Sequence, residues 1–311
     1  MTGTDPRRRR LRFPRRSAGA PPPAGPTRPG RTVPHAGTSD DPDPGTLLDR
    51  VAALGPHFTL HHGPTPQPEP FPPVGPAPDP APEATDPAGS RPLVELRGPL
   101  LLATAADIGR RVGTTDTRVG ASTLHLGLAA RLWSSALGCA VLAGRVPDLA
   151  PDRLWWCLPA DGPLRLRLVG PRYASDPPGP ADPDPLAAAV HRTVRSALDP
   201  LAGELRVEPG LSPRIVLGNT ASALVGTARV LRATVPEYAD LITSLTLRLL
   251  ARSPLDAAGR VLPGPDGDPA GGYLRRSCCL YYRVPGGGTC GDCVLNTRAR
   301  RTRPGGDREP T

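Results

Sequence analysis

The uneven distribution of proline restricts what this chain can fold into more than any other feature. Of its 45 prolines, 23 lie in the first 92 of its 311 residues. A segment rich in proline and arginine lacks the apolar area that would offset the conformational entropy lost on folding. We therefore predict a disordered tail and linker over residues 1–92, with one short helix near 46–54, and a compact body that begins at residue 93.

The positive charge is concentrated at the two ends. Residues 1–32 contain nine arginines and one aspartate, and residues 296–311 contain five arginines and two acidic residues, whereas the net charge of the whole chain is only +9. Apart from Phe13, no aromatic residues are interleaved with the basic ones to form the platform that single-stranded nucleic acid would require, and no apolar segment follows Arg15 and Arg16. We predict solvated basic tails with no role in nucleic-acid binding or export.

The compact body reads as mainly helical. Apolar residues recur at helical spacing over residues 104–112, 119–144, 184–198, 219–232 and 237–251. The segment at 119–144 is apolar over most of its circumference, which leaves a membrane span as an alternative. Arg131 lies at its middle, and no run of about 20 uninterrupted apolar residues exists, so we expect a buried core helix and no transmembrane segment.

A small antiparallel β element interrupts the helices. Leu164, Leu166 and Leu168 alternate with Arg165 and Arg167, and a turn signal lies just before them at residues 161–162. This pattern predicts a β-hairpin over residues 154–169, and residues 256–272 read as a loop. The predicted fold class is therefore mainly α, in the α+β sense, with a small antiparallel element.

Cysteines near the carboxyl end carry the strongest chemical signal. The pattern C-C-x10-C-x2-C contains Cys278, Cys279, Cys290 and Cys293, whereas Cys139 and Cys157 stand apart and are expected to be small buried hydrophobes. Four clustered thiols in a chain without a recognisable export signal favour a metal over disulfides. Zinc and an iron–sulfur cluster both accept four thiolates and both remain open; vicinal cysteines tend to point apart, which suits the wider two-iron centre better.

The neighbouring residues fit an iron–sulfur centre. Glycines 286–288 and Gly291 would let backbone N–H groups approach sulfur or would form a flexible loop, and nearby tyrosines would shield the centre or pack against the body. Several arginines would favour the reduced, more negative form. The tyrosines are Tyr273, Tyr281 and Tyr282, and the arginines are Arg275, Arg276, Arg283, Arg298, Arg300, Arg301 and Arg303.

The segment RRSCCLYYRVPGGGTCGDCVL resembles the C-terminal [2Fe–2S] motif of the FhuF-like ferric-siderophore reductases. Residues 119–147 and 212–233, the latter with its Gly218-Asn219 step, are similar to the helical body of that family. The resemblance implies a FhuF-like body over 93–272, an iron–sulfur-binding segment over 273–295 and a disordered basic tail over 296–311.

The resemblance also implies a function. Cys278, Cys279, Cys290 and Cys293 would hold a [2Fe–2S] cluster in a cytoplasmic enzyme that passes one electron to Fe(III) in a siderophore, here expected to be of the hydroxamate type. An unidentified protein would supply the electrons, and no catalytic acid, base or nucleophile is required. The alternatives are a structural zinc module and an iron–sulfur carrier or sensor with a protein partner.

Residues that contact the siderophore are harder to predict. Asn219, Arg165, Arg167 and Arg283 are the polar groups that we would test first. His125, on the apolar helix, is expected to be a core histidine with its hydrogen bonds satisfied. The pair at residues 61–62 is interpreted as an accident of composition in the linker.

Overall fold

The structure is a computed structural model that describes residues 42–64, 90–174, 183–262 and 272–296. Of the regions predicted to be disordered, 1–92 and 296–311, residues 1–41, 65–89 and 297–311 lie outside the described residues, whereas Asn296 is part of the cysteine segment.

The described residues form six α-helices and six short strands. The helices are α1 (Pro44–Ala52), α2 (Gly98–Arg111), α3 (Thr117–Ala143), α4 (Pro183–Val207), α5 (Pro213–Thr234) and α6 (Ala239–Leu250). The strands are β1 (His61–Gly63), β2 (Arg91–Pro92), β3 (Leu154–Cys157), β4 (Arg165–Val169), β5 (Gly259–Leu262) and β6 (Gly272–Arg275). The predicted fold class, a helical body with a small antiparallel element, is confirmed.

Helix α3 forms the centre of the core. It begins where the Asp116 carboxylate accepts the N–H of Arg118, and it ends at Gly144, whose φ of 65° suits glycine. Helices α1, α2, α4 and α5 all pack against it, which explains why α3 is apolar on every side. By length and composition α3 could cross a membrane, but most of it is buried within the described fold. Arg131 is itself buried, and burial lowers its pKa.

The predicted hairpin at 154–169 is present as antiparallel strands β3 and β4. It forms the middle of a four-stranded sheet with the order β1-β4-β3-β2, in which β1 runs parallel to β4. Leu154, Leu166 and Leu168 are buried, while Arg165 is exposed, as the alternation predicted. His61 and His62 lie in β1 and are therefore part of the sheet rather than of a linker.

The boundary predicted at residue 93 is too late, because helix α1 and strand β1 belong to the folded unit. Leu47, Leu48 and Val51 of α1 are almost fully buried in the common core. The apolar face of this helix was predicted from the sequence. Because proline-rich segments flank it, the sequence did not indicate that this face packs into the core. Helix α4 also extends beyond its predicted end, through Pro200, because Leu201 and Leu205 continue its buried stripe.

The prediction of a loop over residues 256–272 is wrong at both ends. Strands β5 and β6 pair antiparallel from Gly259 opposite Arg275 to Leu262 opposite Gly272. The surrounding glycines, prolines and aspartates concealed two strands of only four residues each. This second hairpin matters for the site, because β6 contacts α5 and ends immediately before the cysteine pair.

Candidate metal centre

Strand β6 delivers the first two cysteines, and one backbone hydrogen bond connects it to the other two. The Arg275 N–H donates to the Asp292 carbonyl over 3.0 Å. Because Asp292 lies between Cys290 and Cys293, this bond brings the C-x2-C turn beside the vicinal pair. The Asp292 carboxylate accepts a hydrogen bond from Ser222 of α5 at 2.6 Å, which fastens the turn to the body.

A left-handed turn follows the vicinal cysteines. Leu280 has a φ of 71°, a conformation that costs a residue with a side chain roughly 1–2 kcal/mol. The turn directs the Leu280 N–H to the Cys278 sulfur at 3.3 Å, and the Tyr281 N–H to the sulfur of Cys279. The structure thus gives Leu280 and Tyr281 the N–H···S role that the sequence assigned to the glycines.

The glycines instead close the loop between the two halves of the motif. Gly286 has a φ of 72°, and a Cβ on Gly287 would lie 2.7 Å from the Tyr281 carbonyl oxygen. The C-x2-C turn itself is closed by the Cys293 N–H, which donates to the Cys290 carbonyl over 3.0 Å. The Asn296 side-chain amide donates to the same carbonyl at 2.9 Å.

The four sulfurs form two pairs, each of which joins one vicinal cysteine to one cysteine of the C-x2-C turn. The sulfurs of Cys278 and Cys293 lie 3.8 Å apart. Cys290 lies close enough to Cys279 for its thiol to lower the pKa of Cys279. Two ligands of one tetrahedral metal with bonds of about 2.3 Å are about 3.8 Å apart. Among the described residues, no three metal-binding side chains converge on one point. Two pairs fit a two-iron centre better than a single zinc ion.

The groups around the four sulfurs favour the loss of one proton from the pair Cys279 and Cys290. The hydrogen bond from Cys290 lowers the pKa of Cys279 to about 5, with smaller contributions from the Tyr281 N–H and the Arg275 charge. The same contact raises the pKa of Cys290, so the pair gives up one proton readily and holds the second. Burial raises the pKa of Cys278 to about 11. A metal therefore has to displace the remaining protons to obtain four thiolate ligands.

One side of the centre faces solvent. Cys279 and Cys293 are buried, whereas Cys278 and Cys290 are half-buried. The side chains of Tyr281 and Tyr282 are more than two-fifths exposed at this edge, while Tyr273 is buried in the core. The tyrosines were predicted either to shield the centre from water or to pack against the body, and Tyr273 packs against the body.

The two isolated cysteines have no part in this site. Cys139 lies within α3 and Cys157 at the end of β3, and both are buried, as predicted. Burial raises the pKa of the Cys139 thiol to about 12, which leaves it unreactive at neutral pH.

A buried polar network lies beneath the cysteine pair. The Arg275 side chain is only 1% exposed, and its guanidinium donates to the Asn219 side-chain oxygen at 2.7 Å. The Asn219 amide donates to the Ser122 hydroxyl at 2.9 Å, and that hydroxyl donates to the Cys279 carbonyl at 2.7 Å. A Cβ on Gly218 would lie 2.8 Å from the Arg275 guanidinium, which explains the Gly218-Asn219 step.

The burial of two side chains in this region corrects two predictions. Asn219 is fully buried, so its side chain is a support beneath the cysteines and not a siderophore contact. His125 is also fully buried, but neither ring nitrogen has a hydrogen-bond partner among the described residues, so it is not satisfied. Sequence reasoning missed Ser122 altogether, because a serine within an apolar helix gives no signal of its distant partner.

The other predicted siderophore contacts lie at separate places. Arg165 and Arg167 are on β4 in the four-stranded sheet, where Arg167 donates to the His62 carbonyl at 3.3 Å. Arg283 lies at the exposed edge of the cysteine segment and forms an ion pair with Asp116 at 2.8 Å. Of the predicted contacts, Arg283 is thus the one placed within the cysteine segment itself.

One further observation, on the side chain of Arg275, indicates that the residues present fit a two-iron cluster. Two nitrogens of the buried Arg275 guanidinium, Nε and one terminal nitrogen, have no hydrogen-bond acceptor in the described structure. Buried donors of this kind normally have partners. A cluster with four thiolates is anionic and its sulfurs accept hydrogen bonds, so it would supply both the charge and the acceptors that Arg275 lacks.

The four cysteines form a candidate iron–sulfur site beside the helical body. Residues 275–295 match the family model described as the FhuF 2Fe-2S C-terminal domain, and the four cysteines fit its motif. The chain therefore carries the C-terminal domain of the FhuF family, whose cofactor is a [2Fe–2S] cluster. A search of curated proteins found no match to the chain.

Proposed function

We propose that this protein is a ferric-siderophore reductase of the cytoplasm and that Cys278, Cys279, Cys290 and Cys293 are the cluster ligands. The observation that carries the proposal is the cluster of four cysteines, two of which face solvent, within a segment that matches the FhuF 2Fe-2S domain. Siderophores bind Fe(III) through hard oxygen ligands and bind Fe(II) far less tightly. Transfer of one electron to the chelated ion therefore releases the iron and leaves the chelator intact.

The chain contributes positioning and electrostatics to this chemistry. When bound, a [2Fe–2S] cluster supplies one electron at a time. Cys279 and Cys293, which are buried, would hold the group from the protein interior. Cys278 and Cys290, which are half-buried, would hold it where solvent reaches, so that a bulky chelate could approach without entering the protein.

The exposed edge has the chemistry to receive a ferric chelate. Tyr281 and Tyr282 offer aromatic surface, and Arg283 offers a cation beside the cysteine pair. We assign the first contact with the siderophore, expected to be a hydroxamate, to this edge. The sequence has no flavin or nicotinamide fingerprint, so we assign the supply of electrons to a separate donor protein.

The direct test is rapid mixing of the dithionite-reduced protein with ferric hydroxamates. We expect the visible cluster bands to return to the oxidised spectrum as an Fe(II) trap becomes coloured, with one Fe(II) formed for each cluster oxidised. A matched control is the Cys139→Ser variant, whose substitution lies in the core and away from the cysteine segment. A reduced protein that no ferric chelate reoxidises would contradict the proposal and favour an iron–sulfur carrier for a protein partner.

A further inference from the structure

The most unusual group in the described structure is the buried side chain of Arg275. It is 1% exposed and ranks among the largest fully buried side chains. A guanidinium stays protonated when buried, and an unpaired buried charge is strongly unfavourable. The fold therefore retains a cation in a place where an apolar residue would fit more easily.

The partners of Arg275 within the protein are neutral. One terminal nitrogen donates to the Asn219 side-chain oxygen at 2.7 Å and lies 3.5 Å from the Ile215 carbonyl. The other terminal nitrogen and Nε have no acceptor, and in the described residues no carboxylate forms an ion pair with Arg275. The nearest acidic residue in its network, Asp292, turns its carboxylate to Ser222 and Arg229 instead.

Arg275 nevertheless lies beside the cysteines. Its backbone N–H donates to the carbonyl of Asp292, between Cys290 and Cys293, and its partner Asn219 connects through Ser122 to the Cys279 carbonyl. The guanidinium is fixed in this position from two sides, by Asn219 and by the close approach of Gly218. An immobile cation that lies near the sulfurs and away from water acts on them without screening by salt.

We propose that Arg275 is the internal counter-cation of the [2Fe–2S] cluster and raises its reduction potential. The reduced cluster carries one more negative charge than the oxidised one, so a fixed positive charge stabilises the reduced form more. The same charge helps to retain the cluster, because the anionic cluster is what compensates the buried guanidinium. The inference rests on the cofactor and on the proposed cysteine ligands, and it requires no particular electron acceptor.

The neighbouring arginine provides a matched control. Arg276 follows Arg275 directly and carries the same charge, but its side chain is exposed and donates to the Ala257 carbonyl at 3.4 Å. Solvent screens an exposed charge, so Arg276 should affect the cluster far less. Comparison of the two positions separates a specific buried charge from the general basicity of the segment.

The experiment is a dye-mediated redox titration of the holoprotein, followed by electron paramagnetic resonance of the reduced cluster. At the wild-type midpoint potential, we expect Arg275→Gln to lower the ratio of reduced to oxidised cluster at least tenfold, which equals 59 mV for one electron. We expect Arg275→Lys to retain most of the wild-type ratio and Arg276→Gln to change it less than twofold. Equal shifts for Arg275→Gln and Arg276→Gln would overturn the proposal.

Loss of the cluster from Arg275→Gln would be informative as well. If Arg275→Lys then retains the cluster and its potential, the charge is what the site requires, as proposed. If Arg275→Lys also fails to bind iron and sulfide, Arg275 acts through its packing and hydrogen bonds, and the proposal is wrong. Because no siderophore takes part, failure of this inference is distinguishable from failure of the reductase function.

Discussion

At the scale of single residues, the six cysteines divide into two chemically different groups. Four lie close together in one segment, two of them buried and two half-buried, and the other two are buried away from that segment. Their spacing in the sequence was enough to predict this division. The pairing across the motif, Cys278 with Cys293 and Cys279 with Cys290, was beyond sequence reasoning because it depends on the left-handed turn at Leu280.

This division predicts opposite results for two cysteine substitutions. Cys279→Ser should bleach the visible spectrum or shift it, because one proposed thiolate ligand is replaced by a poorer hydroxyl ligand. Cys139→Ser should leave the spectrum intact while lowering stability by roughly 1–3 kcal/mol, since a hydroxyl is buried in the apolar core. Absorption spectra with iron and sulfide analysis check the first result, and chemical unfolding checks the second. An unchanged spectrum in Cys279→Ser would contradict the proposed ligand set.

His125 makes stability depend on pH. Burial, and then the charge of Arg275, lowers the pKa of His125 from 6.5 to about 4. The unfolded chain therefore binds a proton at this site below pH 6.5, where the folded protein does not. The contribution of His125 to the free energy of unfolding should be constant above pH 6.5 and fall by roughly 3 kcal/mol as the pH decreases to about 4.

Urea unfolding of the iron-free protein at pH 7.5 and pH 5 measures this loss. The iron-free protein is suitable because protein burial and Arg275, and not the cluster, lower the pKa of His125. His125→Leu should lose about 2 kcal/mol less stability than the wild type between pH 7.5 and pH 5, while the pH dependence due to Cys279 remains. Its stability at pH 7.5 should be unchanged or higher, because two unsatisfied buried nitrogens disappear. His57→Gln, at an exposed site, is the control and should keep the wild-type pH dependence. Equal pH dependence in His125→Leu and wild type would refute the explanation.

At the scale of secondary structure elements, long periodic segments were predicted well and short ones poorly. The apolar periodicity of α3 and the alternation of β4 are local properties, so the sequence alone reveals them. Strands β5 and β6 have four residues each, too few for a periodic signal, and only pairing with each other defines them. The site was predictable as a set of ligands, but its buried floor of Ser122, Asn219 and Arg275 depends on contacts between distant elements.

The crossing of α2 and α3 depends on a glycine. A Cβ on Gly120 would lie 1.9 Å from the Ala105 carbonyl oxygen, so the two backbones touch there. We expect Gly120→Ala to destabilise the protein by about 3 kcal/mol, because the helices have to separate. Gly127→Ala is the control on the same helix: its Cβ would meet Arg131 at 3.6 Å, an ordinary contact. That substitution should be neutral or stabilise by up to about 1 kcal/mol. Equal urea midpoints for the two variants would disprove the close crossing.

At the scale of the whole molecule, composition predicted where the fold lies only approximately. Proline content separated the ends from the body, but it also hid α1, whose buried leucines complete the core from within the proline-rich part of the chain. A composition average over a window cannot register three apolar residues on one face of a short helix. Net charge, in contrast, is a property of the whole chain and leads directly to a kinetic expectation.

The net charge of +9 predicts a preference for anionic iron chelates. The three negative charges of a reduced cluster leave the protein cationic, and the exposed Arg276 lies beside the cysteine pair, whereas the charge of Arg283 is partly compensated by Asp116. Attraction should raise the rate constant for an anionic ferric chelate about tenfold at low salt, and added salt should abolish the increase. A neutral ferric hydroxamate should react at nearly the same rate at low salt, about 20 mM, and at about 300 mM salt, where the charges of the protein surface are largely screened. Rapid-mixing experiments on the reduced protein with both chelates measure the two salt dependences. Identical dependences would show that the positive charges lie too far from the cluster edge to guide the chelate.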